Sequence, residues 1–360
     1  MATSPPGGLL DGLRVVDLSL WQPGNAATQL LADLGADVLK VEPPTGDRMR
    51  PQGGQFTNFN GHKRSAALDL KNPDDRQRLL TWVAEAEVVV ENYRPGVLDR
   101  LGIGFDQLRA VNPSIVLCSI TGFGQDGPLV NVAGHDHNYQ AYAGSFTFHD
   151  DDEPTPASLL LADQSAGLGA AFTILAAVMC ARRTGEAEHI DLSMTALLCA
   201  WVAPYGPLDA HTPGSRSRSE LPALGVFRSS DERWIEVGVY SEDHLWDGLV
   251  AAVGLEEFVG IDIDGRAARA AELRAALAAR FAKRTRDELV DDLGGRGLPI
   301  APVLTRNEMM DHPFVIHRGV LVVDDDGRRR MGHPFRYREH PARDPGLAPS
   351  LDEHGRVGFG

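Results

Sequence analysis

Cysteine is scarce in this 360-residue chain, and its three copies, Cys118, Cys180 and Cys199, show no CxxC spacing. That excludes a disulfide framework and a cysteine-built zinc site, and makes a reducing cytoplasm the expected location. Basic residues are outnumbered: 35 Lys and Arg stand against 50 Asp and Glu, for a formal charge of -15 and a pI near 5.2. On that balance neither nucleic acid nor an anionic membrane is the main partner, although a local basic patch can still hold a phosphorylated ligand. The amino terminus, MATSPPGGLLDG, lacks the basic start and apolar run of a signal peptide, and no run of 18 or more apolar residues follows. Export and a membrane span are therefore not expected. No cluster of metal ligands is visible, and no GxGxxG follows the first apolar strand, so a bound metal or NAD is not expected either.

What is present is ample core material. Hydrophobic residues make up 43% of the chain and charged ones 24%, enough for an ordered protein of two domains. Leu13–Ser19 (LRVVDLS) is a β-branched run, AATQLLADLG reads as a helix, and Asp37–Pro44 returns as a strand stopped by two prolines. Strand, helix and strand in about 30 residues predict a βαβ unit and a parallel sheet, whose ligands bind at the carboxyl ends of the strands. Those ends carry Trp21-Gln22-Pro23-Gly24 and Glu42-Pro43-Pro44. The sheet continues through EVVVEN and SIVLCSI, and LDLKNPDDRQRLLTWVAEA is an Asn-Pro-capped helix. Polar groups gather at these strand ends: Lys63, Arg64, Lys71, Asn92-Tyr93-Arg94 and Arg100. Singly each reads as a solvated side chain; together, in so acidic a protein, they suggest an anion site.

The stretch Ala133–Gly169 places His135-Asp136 and Asp163 on either side of the acidic loop HDDDEPTPA. Two proton-handling groups across a pocket are one reading. The other is plainer, because Asp163 precedes the apolar helix QSAGLGAAFTILAAVMCARR, and an Asp there is a good N-cap worth about 1 kcal/mol.

LRVVDLS, LLADLGADVLKVEPPTGDRMR, HKRSAALDLK, VVVENYRPGVLDRLG, NPSIVLCSITGFGQDGP and ADQSAG, in that order, resemble the family III coenzyme A transferases, a superfamily that includes α-methylacyl-CoA racemases. The likeness is dense from Leu13 to about Met194 and thins afterwards. It implies an α/β fold: a Rossmann-like large domain with a parallel sheet, built from residues 1–205 and a returning segment 321–360, a smaller α+β domain over 206–320, and an interlocked homodimer. It implies an acyl-CoA thioester as substrate, with coenzyme A entering as part of it and no permanently bound cofactor. Gln22, Pro23, Leu68, Lys71, Asn92, Tyr93, Arg94 and Arg100 fall along the implied CoA channel, and Tyr139 within reach of thioester or phosphates. Where many relatives carry an Arg after the acidic residue of the second strand this chain has Pro43, so that contact is either missing or left to Lys40, Arg48 or Arg50.

Within the resemblance Asp163 is the catalytic aspartate. In a racemase it works opposite a second base, which His135 supplies in GHDHNY, oriented by Asp136 or by a glutamate after the VxVGxx strand; here that position is Ser241, with Glu242 next. In a transferase it is the nucleophile that forms an acyl anhydride. SRSRSELPALG, in place of the transferases' glycine run, favours α-carbon epimerisation of a 2-methylacyl-CoA, with CoA transfer as the alternative. Leu159, where racemases carry Asn, and the displaced glutamate motivate a third reading, a non-catalytic acyl-CoA binder.

In the last third GVFRSSDERWIEVGVY reads as strand, turn and strand, followed by amphipathic helices. MGHPFRY reads as a returning strand, and the Pro-rich end as loose.

Overall fold

The structure, a computed structural model, describes residues 8–148, 153–205, 218–323, 327–355 and 357–359. Residues 149–152, in the acidic loop, and 206–217, which include the start of SRSRSELPALG, lie outside them.

Short valine-rich segments, buried on both faces, form a parallel sheet because crossover helices cover each side. In chain order they are β1 (Arg14–Asp17), α1 (Gln22–Asp33), β2 (Asp37–Glu42), α2 (Gly54–Asn58), β3 (Arg64–Ala67), α3 (Pro73–Val83), β4 (Val88–Glu91), α4 (Val97–Leu101), α5 (Phe105–Val111), β5 (Val116–Thr121), α6 (Asp136–Tyr142), α7 (Leu161–Thr184), β6 (Glu188–Ser193) and α8 (Met194–Val202). The Asn72 side chain accepts the Asp74 N–H and caps α3, as the Asn-Pro pair predicts. The strand order is β3-β2-β1-β4-β5-β6 with every pair parallel, so it reverses between β1 and β4 and opens a crevice there. Val15, Val88, Val90 and Val116 face α1 and α7, while Val16, Val89 and Leu117 face the layer that holds α3 and α5. The EHIDLS strand, β6, extends the sheet beyond the strands expected from sequence.

The chain divides into two compact units, residues 1–208 with 313–360 and residues 209–312. The second holds β7 (Leu224–Arg228), β8 (Trp234–Gly238), α9 (Asp243–Ala252), α10 (Ile263–Ala268), α11 (Ala270–Phe281), α12 (Arg286–Gly295), β9 (Ile300–Pro302) and α13 (Arg306–Asp311), with β7-β8-β9 antiparallel. Its core closes on Trp246, whose indole N–H donates to the Phe258 carbonyl at 2.9 Å.

The chain then rejoins the first unit through α14 (Pro313–Arg318), β10 (Leu321–Val323) and β11 (Arg329–Met331). The strand expected at MGHPFRY stops at Met331, because β11 pairs only with the three-residue β10. The terminal segment read as loose is tied to the edge of β3: His354 N–H donates to the Ser65 carbonyl at 2.8 Å, Ala67 N–H to Asp352 at 2.9 Å, and Phe359 is buried in the core. Covering that edge removes an open ladder.

Among the described residues α7 is the one helix long and apolar enough to cross a membrane, yet half of it is buried in the first unit. Gly167 sets its distance from α1, since a Cβ there would stand 2.8 Å from that of Ala26.

Under the crevice lies a sealed polar floor. Lys63 Nζ meets Asp17 Oδ2 at 3.1 Å, Thr28 Oγ1 at 2.8 Å and Asn60 Oδ1 at 2.9 Å. Lys40 Nζ meets Asp47 at 3.0 Å, Asn25 Oδ1 at 2.6 Å and the Ser19 carbonyl at 2.9 Å. All four charged side chains are fully buried. Lys63→Met strands Asp17 as a buried charge and should cost about 3–5 kcal/mol, with Lys63→Met/Asp17→Asn recovering part of it. Denaturant midpoints of the two variants check this; an unchanged midpoint in the single variant would refute it.

Candidate active site

Both α1 and α7 are crossover helices on one face of a parallel sheet, so they run in the same direction and begin at the carboxyl ends of the strands. Gly167 lies against Pro23 and Ala26 in the first turns of α1. Asp163, one helical turn before Gly167, therefore stands at the same edge as the β1–α1 turn that carries Trp21 and Gln22.

That turn is held from outside. The Asn92 amide accepts the Leu20 N–H at 2.8 Å and donates back to the Leu20 carbonyl, bridging the crevice from the end of β4. Asn92, expected along the CoA channel, thus uses its amide to position the turn. Gln22 and Pro23 are buried in the first turn of α1. A cavity of about 250 Å³ opens at the ends of β2, β3 and β4, lined by Pro43, Leu68, Lys71, Tyr93 and Leu101. It brings together three of the expected CoA residues, an apolar slot with one exposed ammonium. Burial, then the Glu91 charge, pushes the Tyr93 hydroxyl up to about 12, so it acts as a neutral donor. Arg94 and Arg100 are exposed at the same end.

Lys40 is a correction. Its ammonium is spent on Asp47 and Asn25 in the sealed floor, so it presents no charge to a phosphate. Arg50 is likewise bound, to both oxygens of Glu42. Of the three cations that stood in for the arginine missing at Pro43, Arg48 is the exposed one without an ion pair.

At the start of α7 the backbone N–H of Asp163 donates to Asp136 Oδ2 at 2.9 Å. Asp136 is itself buried, takes a second bond from Gln140 Nε2, and so fastens α6 to α7. Burial, then the Asp136 charge, raises the Asp163 carboxyl to about 7. Asp163 does not cap the helix, being its third residue with its own N–H satisfied from outside. Tyr139 packs nearby. Its hydroxyl donates to the Gly134 carbonyl at 2.6 Å, and a Cβ at Gly122 would come within 2.3 Å of its ring, which explains that glycine. Burial, then Asp163, raises its hydroxyl, with Arg94 opposing.

His135 is exposed at the N-cap of α6, next to Asp136 in sequence, and its N–H donates to Asn138 Oδ1 at 2.9 Å. Asp136 bonds to α7 and Gln140 through the contacts above, not to the imidazole. Glu242 belongs to the second unit, directly before α9, where its carboxylate accepts the Tyr240 N–H at 3.0 Å.

One group of residues went unread in the sequence. Glu91, Ser119 and His189 line a second cavity of about 150 Å³ together with Arg94. Glu91 accepts the Tyr93 N–H at 2.7 Å and hydrogen-bonds Ser119, whose Oγ lies 3.0 Å from His189 Nε2. The signal was available: VVVE ends an apolar strand on a charge. Burial raises the Glu91 carboxyl to about 7 from an ordinary 4.5. The folded state therefore binds the extra proton, and the stability this contributes is full below pH 4.5 and is lost as pH rises through about 7. Glu91→Gln should flatten that decline and stabilise the protein at pH 8 by on the order of 3 kcal/mol. Urea unfolding at pH 5 and pH 8 measures both; a decline as steep as in the unaltered protein would refute it.

Comparison with known proteins places the whole chain. The family model for CoA-transferase family III matches residues 10–355. An acetyl-CoA:oxalate CoA-transferase of Acetobacter aceti is 33% identical, over 97% of this chain and 95% of its own length. A succinyl-CoA:mesaconate CoA-transferase of Haloarcula marismortui is 32% identical, over 96% and 94%. The crystal structure of a CaiB/BaiF family protein from Brucella suis superposes with a TM-score of 0.85 at 30% identity, covering 98% of each chain.

Proposed function

We infer that this chain, which belongs to CoA-transferase family III, moves coenzyme A from an acyl-CoA to a second carboxylic acid with Asp163 as nucleophile. One observation carries the reading: relatives similar over nearly the whole chain are named as CoA-transferases, and a half-buried carboxyl poised at about 7 at the ligand-binding edge of the sheet fits the nucleophile they need. Those names weigh against the racemase expected from GHDHNY and from the missing glycine run.

In the proposed sequence the Asp163 carboxylate attacks the thioester carbonyl, expelling CoA thiolate and leaving an acyl-aspartyl anhydride. The thiolate attacks the aspartyl carbonyl, which releases the donor acid and leaves CoA bound to Asp163 as a thioester. The acceptor carboxylate then attacks that carbonyl, and the returning thiolate takes the new acyl group, restoring Asp163. Every bond broken is matched by one formed, and no oxidant is needed. The exposed cations Lys71, Arg94, Arg100 and Arg48 suit the nucleotide phosphates, and the slot at Leu68 and Tyr93 suits a flat base.

The assembly proposed with it is a homodimer of interlocked chains. On α7, Leu168, Phe172 and Met179 are exposed, a stripe of apolar side chains that a partner would cover.

Epimerisation stands as the second reading because His135 is exposed on α6, the helix whose Asp136 holds the Asp163 N–H. Asp163→Asn should abolish CoA transfer, and hydroxylamine should trap acylated Asp163 in the unaltered protein. Its kcat/KM should climb about tenfold per pH unit below 7 and level off above, as the carboxylate form fills. His135→Ala should lower transfer by less than tenfold. Deuterium incorporation at Cα of a 2-methylacyl-CoA in D₂O, lost in His135→Ala and without any trapped anhydride, would replace the transferase with the racemase.

A further inference from the structure

We propose that Trp21 is a specificity-determining residue, a wall that limits the size of the acyl group admitted to Asp163. The proposal rests on the acyl-CoA reading above and adds which part of the substrate is selected, and by what. Trp21 has φ 64° and ψ −169°, a combination that glycine adopts and side-chain-bearing residues avoid. The chain on both sides forbids escape from it. Leu20 is held at its N–H and its carbonyl by Asn92, the Ser19 carbonyl is held by Lys40, and Pro23 two residues on fixes the entry into α1.

A glycine would relieve this turn, and the indole is 45% exposed while all but one of the next eleven residues in α1 through Ala32 are buried. Trp21 directly follows the turn after β1, at the edge where the strand order reverses between β1 and β4 and where ligands of such sheets bind. Asp163 begins α7 at the same edge, fixed there by the approach of Gly167 to Pro23 and Ala26. A large flat apolar side chain at the sheet edge it shares with Asp163 leaves room for short acyl groups, lies well against their carbon faces, and blocks long or bulky chains. The strained backbone aims the ring without lengthening the turn. The substrate class is therefore short-chain acyl-CoA, with the coenzyme portion bound elsewhere along the sheet edge.

The test uses unreactive S-alkyl-CoA thioethers, S-ethyl, S-butyl and S-octyl, titrated calorimetrically into the full-length protein. Wild type should bind S-ethyl-CoA more tightly than S-octyl-CoA. Trp21→Gly should shift that ratio at least tenfold toward S-octyl-CoA, leave the affinity for free CoA within twofold, and hold or raise the melting temperature. Trp21→Phe, smaller yet equally strained, should fall between and serves if the glycine variant does not fold. An unchanged chain-length ratio in both variants, or a melting temperature that falls with equal losses for all three thioethers, overturns the proposal and marks the indole as packing. If wild type binds neither CoA nor any thioether, the acyl-CoA reading fails first and this inference with it.

Discussion

Two lysines and two aspartates sealed beneath the β1–α1 turn are the constraint on which the site depends. Burying four charges is unfavourable unless each is paired and hydrogen-bonded, and here the pairs share Asn25, Ser19, Thr28 and Asn60 as satisfying partners. Burial pushes the Asp17 carboxyl up, but Lys63, Lys40 and two hydroxyls together hold it below its ordinary value. Burial draws Lys63 down to about 8, which still leaves it charged at neutral pH. Because the network binds the end of β1, the loop after β2 and the start of α1 at once, it dictates where the turn can run. The positive φ at Trp21, a strain on the order of 1–3 kcal/mol, persists because these neighbours over-determine it.

A second carboxylate pair, Asp136 and Asp163, divides its labour in the opposite way. Asp136 accepts from a backbone N–H and an amide donor, and Asp163 receives the cost of that negative neighbour on top of its own burial. The environments separate two similar groups, assigning Asp136 to hold the helix start and the raised pKa to Asp163. The assignment also explains the unusual start of α7, whose third amide is satisfied from α6 rather than by a residue of its own cap.

Much of this was legible in the chain. The βαβ rhythm of LRVVDLS and DVLKVEPP, the Asn-Pro start of α3 and the place of Asp163 at the head of a long apolar helix all follow from local pattern, and the structure shows each. What stayed hidden depends on partners distant in sequence. Lys40 reads as a cation at a binding edge until Asp47 and Asn25 close over it. Asp136 reads as a partner for adjacent His135, whereas its acceptor positions are filled from residues 140 and 163. EHIDLS alternates charge with apolar residues and escaped notice because β6 is an edge strand whose pairing with β5 is a tertiary event. Ser119 and His189 are uninformative singly, and only strand register brings them to 3.0 Å.

The same distinction bears on the choice between transfer and epimerisation. Both reactions need a carboxyl at Asp163, so its placement and raised pKa do not discriminate. The second base does, since transfer needs none and epimerisation requires one oriented imidazole. In this chain Asp136 is turned to α7, and Glu242 is turned back to the backbone of its own strand end. His135 is exposed at the N-cap of α6 with Asp136 turned away from it, whereas a proton delivered stereospecifically to an enolate face needs a fixed donor. With Asp136 committed to α7, the proposed transfer asks of Asp163 only that its carboxylate reach a thioester carbonyl, a step that needs no second base.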